Sequence, residues 1–176
     1  MKKFIGFALF FLSLLLLCSC SDKNDIIKDF NSDTFTGKAD GCSSFFVNRF
    51  NNDNNLAIYV RGDRDDLGID QTMQSFDLSA TSGLEVQVEQ FDGSATDHYC
   101  NDAIDLSAPS VIHSWEAMSG TVHIQITEDS INVSDFELTY KISIDLENIE
   151  VYDEDGNIEI IESATFTDVL VGWSPG

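Results

Sequence analysis

Positive charge is what this sequence has least of. Its 176 residues carry 9 Lys and Arg against 31 Asp and Glu, a formal net charge of −22. Binding to nucleic acid needs clustered Lys and Arg to displace counterions, so the composition argues against that class of partner. Charge-driven adhesion to anionic lipid is disfavoured for the same reason. The acidity suits solubility, a cation or a basic partner, and a solvated acidic face accounts for most of it. Proline is nearly absent. Pro109 and Pro175 are the only two, and both fall outside the candidate strands, as ladder hydrogen bonding requires. No stretch repeats apolar residues at helical spacing over three turns, so no helical crossover is available to build a parallel sheet.

The signatures of catalysis are missing too. There is no G-x-S-x-G elbow, no H-E-x-x-H, no C-x-x-C pair and no Gly-rich phosphate loop. Zinc is disfavoured by that list. His98, His113 and His123 are the only histidines, and each reads as structural or surface. With so many carboxylates, pairs arise by chance, and none has an apolar context that raises a carboxylate pKa for glycosidase work. The expectation is a protein that is not an enzyme.

What is present is strand after strand. Ser43–Phe50, Leu56–Arg61 and Met73–Leu78 are β-rich, and Leu84, Val86 and Val88 alternate with Glu85, Gln87 and Glu89. Phe91–Ser107 is long and irregular. Ser110–Thr127 reads as a hairpin around Ser119-Gly120, with His113, Trp115, Ala117, Val122, Ile124 and Ile126 on one inward face and His123 on the wetter one. From Phe136, alternation runs through Leu138–Leu146, then switches parity to Ile149 and Val151, which predicts a bulge near Asn148. A turn at Asp153–Gly156 pairs Val151 with Ile158 and Ile149 with Ile160. It also sets Glu150 against Glu159 and Glu147 against Glu162, a small like-charge cost. Thr165–Trp173 is the last strand. The fold class is all-β, an antiparallel β-sandwich of about eight strands, with a β-barrel as the alternative.

Four cysteines remain to be assigned: Cys18, Cys20, Cys42 and Cys100. Cys42 and Cys100 are expected to form a disulfide. It closes a loop of about 59 residues, worth roughly 4 kcal/mol in the chain-entropy model. Asp63, Asp65 and Asp66, followed by Gly68, partly imitate a calcium loop, but Leu67 stands at one oxygen-ligand position and Gln74 where the bidentate Glu belongs. They are the weak metal candidates. Tyr59, Tyr99, Tyr152, Trp115 and Trp173 are the aromatic candidates for stacking on sugar rings, with Trp115 inward and Trp173 sealing an edge.

The remaining apolar run, Phe4 to Cys20, follows Lys2 and Lys3 and ends in small residues and cysteine, the layout of a secretory signal. Its end, Leu17-Cys18-Ser19-Cys20, resembles the lipobox of bacterial lipoproteins. The resemblance implies a signal over residues 1–19 and acylation of Cys20, by chains such as palmitate, as the mature N-terminus. Two or more chains anchor a protein stably. Residues 20–40 then form a flexible polar tether, on which Ile26, Ile27, Phe30 and Phe35 are placed to dock, and residues 41–176 form the β-domain. Asp22 and Asp25 resemble the surface-export signals of Bacteroidota lipoproteins, and the whole chain resembles short envelope lipoproteins of that group. The implied protein is an outer-membrane lipoprotein on the cell surface or the periplasmic face. It binds a protein or glycan partner and performs no catalysis. The alternative is a calycin-like periplasmic carrier of lipid or another ligand, although the Gly172-Trp173 pair lies at the wrong end of the chain for that family.

Overall fold

The computed structural model describes residues 30–31, 33–103, 106–134 and 137–174, with backbone alone from 130 to 138. The signal region, Cys20, Ile26, Ile27 and Pro175 lie outside the described residues. Among the described residues, eight strands form one antiparallel sheet: β1 (Ala39–Cys42), β2 (Phe45–Phe50), β3 (Leu56–Gly62), β4 (Gln74–Asp77), β5 (Glu85–Phe91), β6 (Val111–Ser134), β7 (Glu137–Asp153) and β8 (Ile158–Val171). The only helix among the described residues is a single turn, α1 (Arg64–Leu67). The strand order is β1-β2-β3-β5-β6-β7-β8, with β4 beside the far half of β6.

The sheet curls until its two ends meet, giving a half-barrel. Ser43 donates its N–H to the Trp173 carbonyl at 2.7 Å, and Gly172 donates to the Ser43 carbonyl at 2.7 Å. Gly41 lies so close to β8 that a Cβ there would stand 2.8 Å from Val171 Cγ1 and 2.9 Å from Val169 Cγ1. Arg49 crosses the same seam. Its Nη1 donates to the Thr165 carbonyl at 2.6 Å, and its guanidinium lies over Phe166. Trp173 thus helps to seal the edge, through its backbone.

Inside the curl is an aliphatic core. Ile58, Val60, Val88, Ile124, Ile142, Ile144, Leu146 and Ile161 meet Trp115 and Phe166, all essentially inaccessible. Burying such side chains is the main stabilising term, about 1.5–3 kcal/mol each. Phe30 and Phe35 belong to this core, and Phe30 stands edge-on to Trp115 with ring centroids 5.1 Å apart. The docking expected of these two residues brings the start of the packed unit back from residue 41 to about residue 30.

Two local expectations are corrected. No hairpin forms at Ser119-Gly120, because β6 runs unbroken through it. The ladder with β7 instead slips on both sides of Ser119, with Met118 extra on β6 and Asn148 extra on β7. Asn148 takes φ +51, so the bulge expected there is present. All six residues assigned to the inward face do face in, and Met118 is 59% exposed. A two-residue turn and a one-residue bulge both switch inward parity between Ala117 and Val122, so the pattern alone does not separate them.

The second correction is the register of β7 and β8. Tyr152 pairs with Ile158 and Ile149 with Ile161, one residue from the expected pairing. Asp153 sets this. Its N–H donates to the Asn157 carbonyl, and its Oδ1 accepts from the N–H groups of Asp155 and Asn157 at 3.0 and 2.8 Å. Tyr152 and its partner Ile158 thereby enclose five residues, where the expected register places four between Tyr152 and Asn157. Glu150 now faces Ile160 and Glu147 faces Ser163, which removes the like-charge pairs the other register imposes.

Candidate functional site

β3 is buried on both faces, as its unbroken run Leu56–Val60 requires. Leu56, Ile58 and Val60 enter the main core, while Ala57 and Tyr59 point outward. Three cross-strand rows follow on the outer face: Phe46 with Arg61 and Glu85, Asn48 with Tyr59 and Gln87, and Phe50 with Ala57 and Glu89. Over the last two rows folds the irregular segment after β5. It brings a second apolar cluster of Phe50, Ala57, Phe91 and Ala95, with Tyr99 packed against it.

Tyr99 is the hub of this cluster. Its ring stands 5.2 Å from Phe46, 5.7 Å from Tyr59, 5.6 Å from Phe50 and 4.9 Å from His98, centroid to centroid. Its hydroxyl donates to Glu89 Oε2 at 2.5 Å. Burial, reinforced by that carboxylate, holds the Tyr99 phenol far above its ordinary pKa. Tyr59 donates its hydroxyl to Gln87 and is pushed up to about 12, chiefly by burial and then by Glu89. One residue beyond Tyr99, Cys100 is bonded to Cys42 with a Cα–Cα distance of 5.6 Å. The expected pair therefore comes together, and it ties the irregular segment to the β1–β2 turn.

Beside the disulfide the first row opens into a cleft of about 600 Å³. Phe46 and Tyr99 supply its aromatic wall. Ser44, Asp63, His98 and Asn101 supply polar groups, and an Arg61–Glu85 pair stands at its mouth. Arg61 Nε donates to Glu85 Oε2 at 2.6 Å, with both side chains more than half exposed. Such a pair is screened and weak in stability terms. The volume lies within the 300–1,000 Å³ range of small-ligand sites, with the usual mixture of apolar wall and a few polar groups.

The acidic candidates Asp63, Asp65 and Asp66 sit in a capped turn. Asp63 caps α1: its side chain accepts from the N–H groups of Asp65 and Asp66 at 2.9 and 3.1 Å, and Ser44 Oγ donates to its other oxygen at 2.9 Å. These donors hold the Asp63 carboxyl below its usual range, the Asp66 N–H contributing most. Gly68 closes the turn at φ +64. Leu67 packs against the core, and Gln74 straps the loop by donating to the Gly68 carbonyl at 3.0 Å. The two residues that break the calcium pattern thus have structural work. Asp65 and Asp66 each lend Asp63 their backbone. Among the described residues, no three of His, Cys, Asp or Glu stand close enough together to hold a metal ion. Arg64 makes a bidentate pair with Asp129, both contacts at 2.9 Å, and lies over the Tyr140 ring at 4.8 Å. Tyr140 in turn donates to the Ser44 carbonyl, so Ser44 of the cleft lining is tied through Tyr140 and Arg64 to Asp129 on β6.

The histidines stay apart. His98 is in the cleft. His113 is buried beside Trp115, with Nε2 3.5 Å from Asp153 Oδ2. His123 is on the wetter face, with Nδ1 2.8 Å from Ser75 Oγ. Of the aromatic candidates, Tyr59 and Tyr99 are brought together, Trp115 is core, Tyr152 lies elsewhere on the sheet, and Trp173, past the end of β8, bonds Ser43 through its backbone without lining the cleft. Sequence reasoning missed Phe46, Phe50 and Phe91. Their signal is parity: each stands one residue out of step with inward neighbours such as Phe45, Val47 and Val88. No family profile, curated protein or solved structure was found to match this chain.

Proposed function

We propose that this protein is a lipid-anchored cell-envelope binding protein, held at the outer membrane by acylated Cys20 and exposed on the cell surface. Its role is binding rather than catalysis, and its partner, a protein or a glycan, engages the cleft beside Cys42 and Cys100. The observation that carries the reading is the cleft itself, an aromatic wall fixed by a disulfide. Such bonds persist in the oxidising compartments that a lipobox signal leads to. Residues 20–29 lie between the acceptor cysteine and the first core phenylalanine, a spacer of at most about 35 Å when extended. The interior of the half-barrel favours this reading over a lipid carrier, since Trp115, Phe45, Phe166 and Leu146 fill it at 1% exposure or less.

Protease treatment of intact cells tests the address. Digestion of the β-domain is expected, with the Cys20→Ala variant recovered in the soluble fraction. Protection on intact cells but not after lysis overturns surface exposure, and membrane retention of Cys20→Ala overturns the anchor.

A further inference from the structure

The cleft does not stand alone on its face. A second concavity of about 430 Å³ adjoins it, lined by Arg61, Glu85, Gln87 and Glu116. The two share the Arg61–Glu85 pair as a ridge. Asp63, just past the end of β3, Glu85, at the start of β5, and Glu116, opposite Gln87 within β6, therefore line one continuous track, with Phe46 and Tyr99 on one side. The one permanent cation lining the track, Arg61, is already neutralised by Glu85. Asp63 is held ionised by backbone N–H groups and a hydroxyl, none of which carries charge. The balance is negative, inside a chain whose net charge is −22. An anionic glycan or phosphate is repelled from such a site, while an aromatic wall next to carboxylates attracts a guanidinium or ammonium both through charge and through the ring faces.

Resting on the binding role proposed for this cleft, we infer that the partner presents an extended basic polypeptide segment. One Arg or Lys side chain enters beside Phe46 and Tyr99, and a second reaches Glu116 across the ridge. A neutral glycan is the competing occupant.

The test uses the full chain in detergent, followed by backbone amide NMR. The probes are a capped Gly-Arg-Gly-Lys-Gly peptide, its Gln-substituted analogue and maltotriose. Asp63→Asn combined with Glu85→Gln removes two charges at nearly constant shape: Asn also caps helices, its amide NH2 then donating to Ser44 Oγ where the carboxylate accepted from it, and Gln keeps a hydrogen bond to Arg61. The cationic peptide is expected to shift the amides of Ser43, Gly62, Gly83 and Asn101. The double variant should weaken it about tenfold, the loss of one charge-assisted hydrogen bond. The Gln analogue should not bind. Maltotriose shifting those amides while the peptide does not overturns the inference and leaves the cleft as a glycan site. Peptide shifts that survive the double variant, or that fall elsewhere on the molecule, overturn it as well. Silence from both probes overturns the cleft as the binding site altogether.

Discussion

The two apolar clusters lie on opposite faces of β3 and are held by different means. The inner one is mostly aliphatic, with aromatic rings such as Trp115 and Phe166 set among Ile, Val and Leu, draws on nearly every strand and closes on itself as the sheet curls. The outer one is aromatic, rests on β2, β3 and β5, and is covered by a segment with no strand of its own. That segment is fastened by Tyr99, by the Ala95 N–H on the Asn54 carbonyl at 2.7 Å, and by the disulfide at Cys100. The inner core is thus stabilised by burial summed over many residues, which is cooperative. The outer one is too small for that and depends on a covalent tie. Elements of this second kind open at lower free energy than the global fold, and binding surfaces are drawn from them.

The largest expected effect breaks the inner core. Phe166→Ala leaves a cavity at a site with no solvent access, and about 3–5 kcal/mol of global stability should be lost. Urea unfolding read by tryptophan fluorescence measures it, since Trp115 sits in the same cluster. A cost near zero would mean that the inner cluster is not the source of stability.

Cys100→Ser acts on the other side of the comparison. The chain-entropy model gives roughly 4 kcal/mol for a loop of this length, and the structure confines the immediate damage to the outer cluster. Hydrogen exchange should quicken from Asp92 to Ser110 well before β6 and β7 respond. Equal acceleration throughout the sheet erases the distinction between the two clusters. Complete alkylation of Cys42 and Cys100 in wild-type protein without reductant removes its basis.

Gly120→Ala probes the bulge that bends β6. Gly120 takes φ +119, and a Cβ there would lie 2.6 Å from Ile149 Cδ1 and 2.8 Å from the Asn148 carbonyl oxygen. Strain and overpacking together should cost about 2 kcal/mol. The unfolding midpoint should fall while exchange in the outer segment keeps its wild-type rate. A neutral substitution would show that β6 can straighten.

The inner cluster is legible in the sequence, and the outer one is not, for a physical reason. Alternation reports which face of a strand is dry, so the pattern alone assigns Ile142, Ile144 and Leu146 to the core. It does not report what dries a second face. Leu56–Val60 signals a strand covered on both sides, but the cover comes from a segment with no period, joined to β1 through a cysteine 58 positions away. The lipobox resemblance assigns Cys18 to the signal and Cys20 to the lipid, which leaves Cys42 and Cys100 as the pair. Nothing in the sequence says that it brings Tyr99 onto Phe46. The turn Asp63–Gly68 is ambiguous in the sequence for another reason: capping and calcium loops use the same residues, and the alternation does not reveal that Leu67 packs inward.

Alkaline titration gives the smallest and most local effect. Tyr59 and Tyr99 both have pKa values raised above the ordinary 10, chiefly by burial. Below pH 10 the phenols are neutral in the folded and unfolded chains alike, so their contribution to stability is fully present. Above it the unfolded chain releases protons that the folded chain retains, and stability falls with rising pH. For Tyr59 the loss runs from about pH 10 to about pH 12, and for Tyr99 it continues beyond. Tyr140, raised by burial as well, adds a similar slope from beside α1. Replacing Tyr59 with Phe should therefore flatten the decline between pH 10 and pH 12 without abolishing it, and phenolate absorbance should rise in step with opening of the outer segment. A wild-type protein that ionises Tyr59 near pH 10 while its outer segment stays protected would mean that this ring is not buried by the disulfide-tied cover, and the two clusters would then differ in composition but not in how they are held.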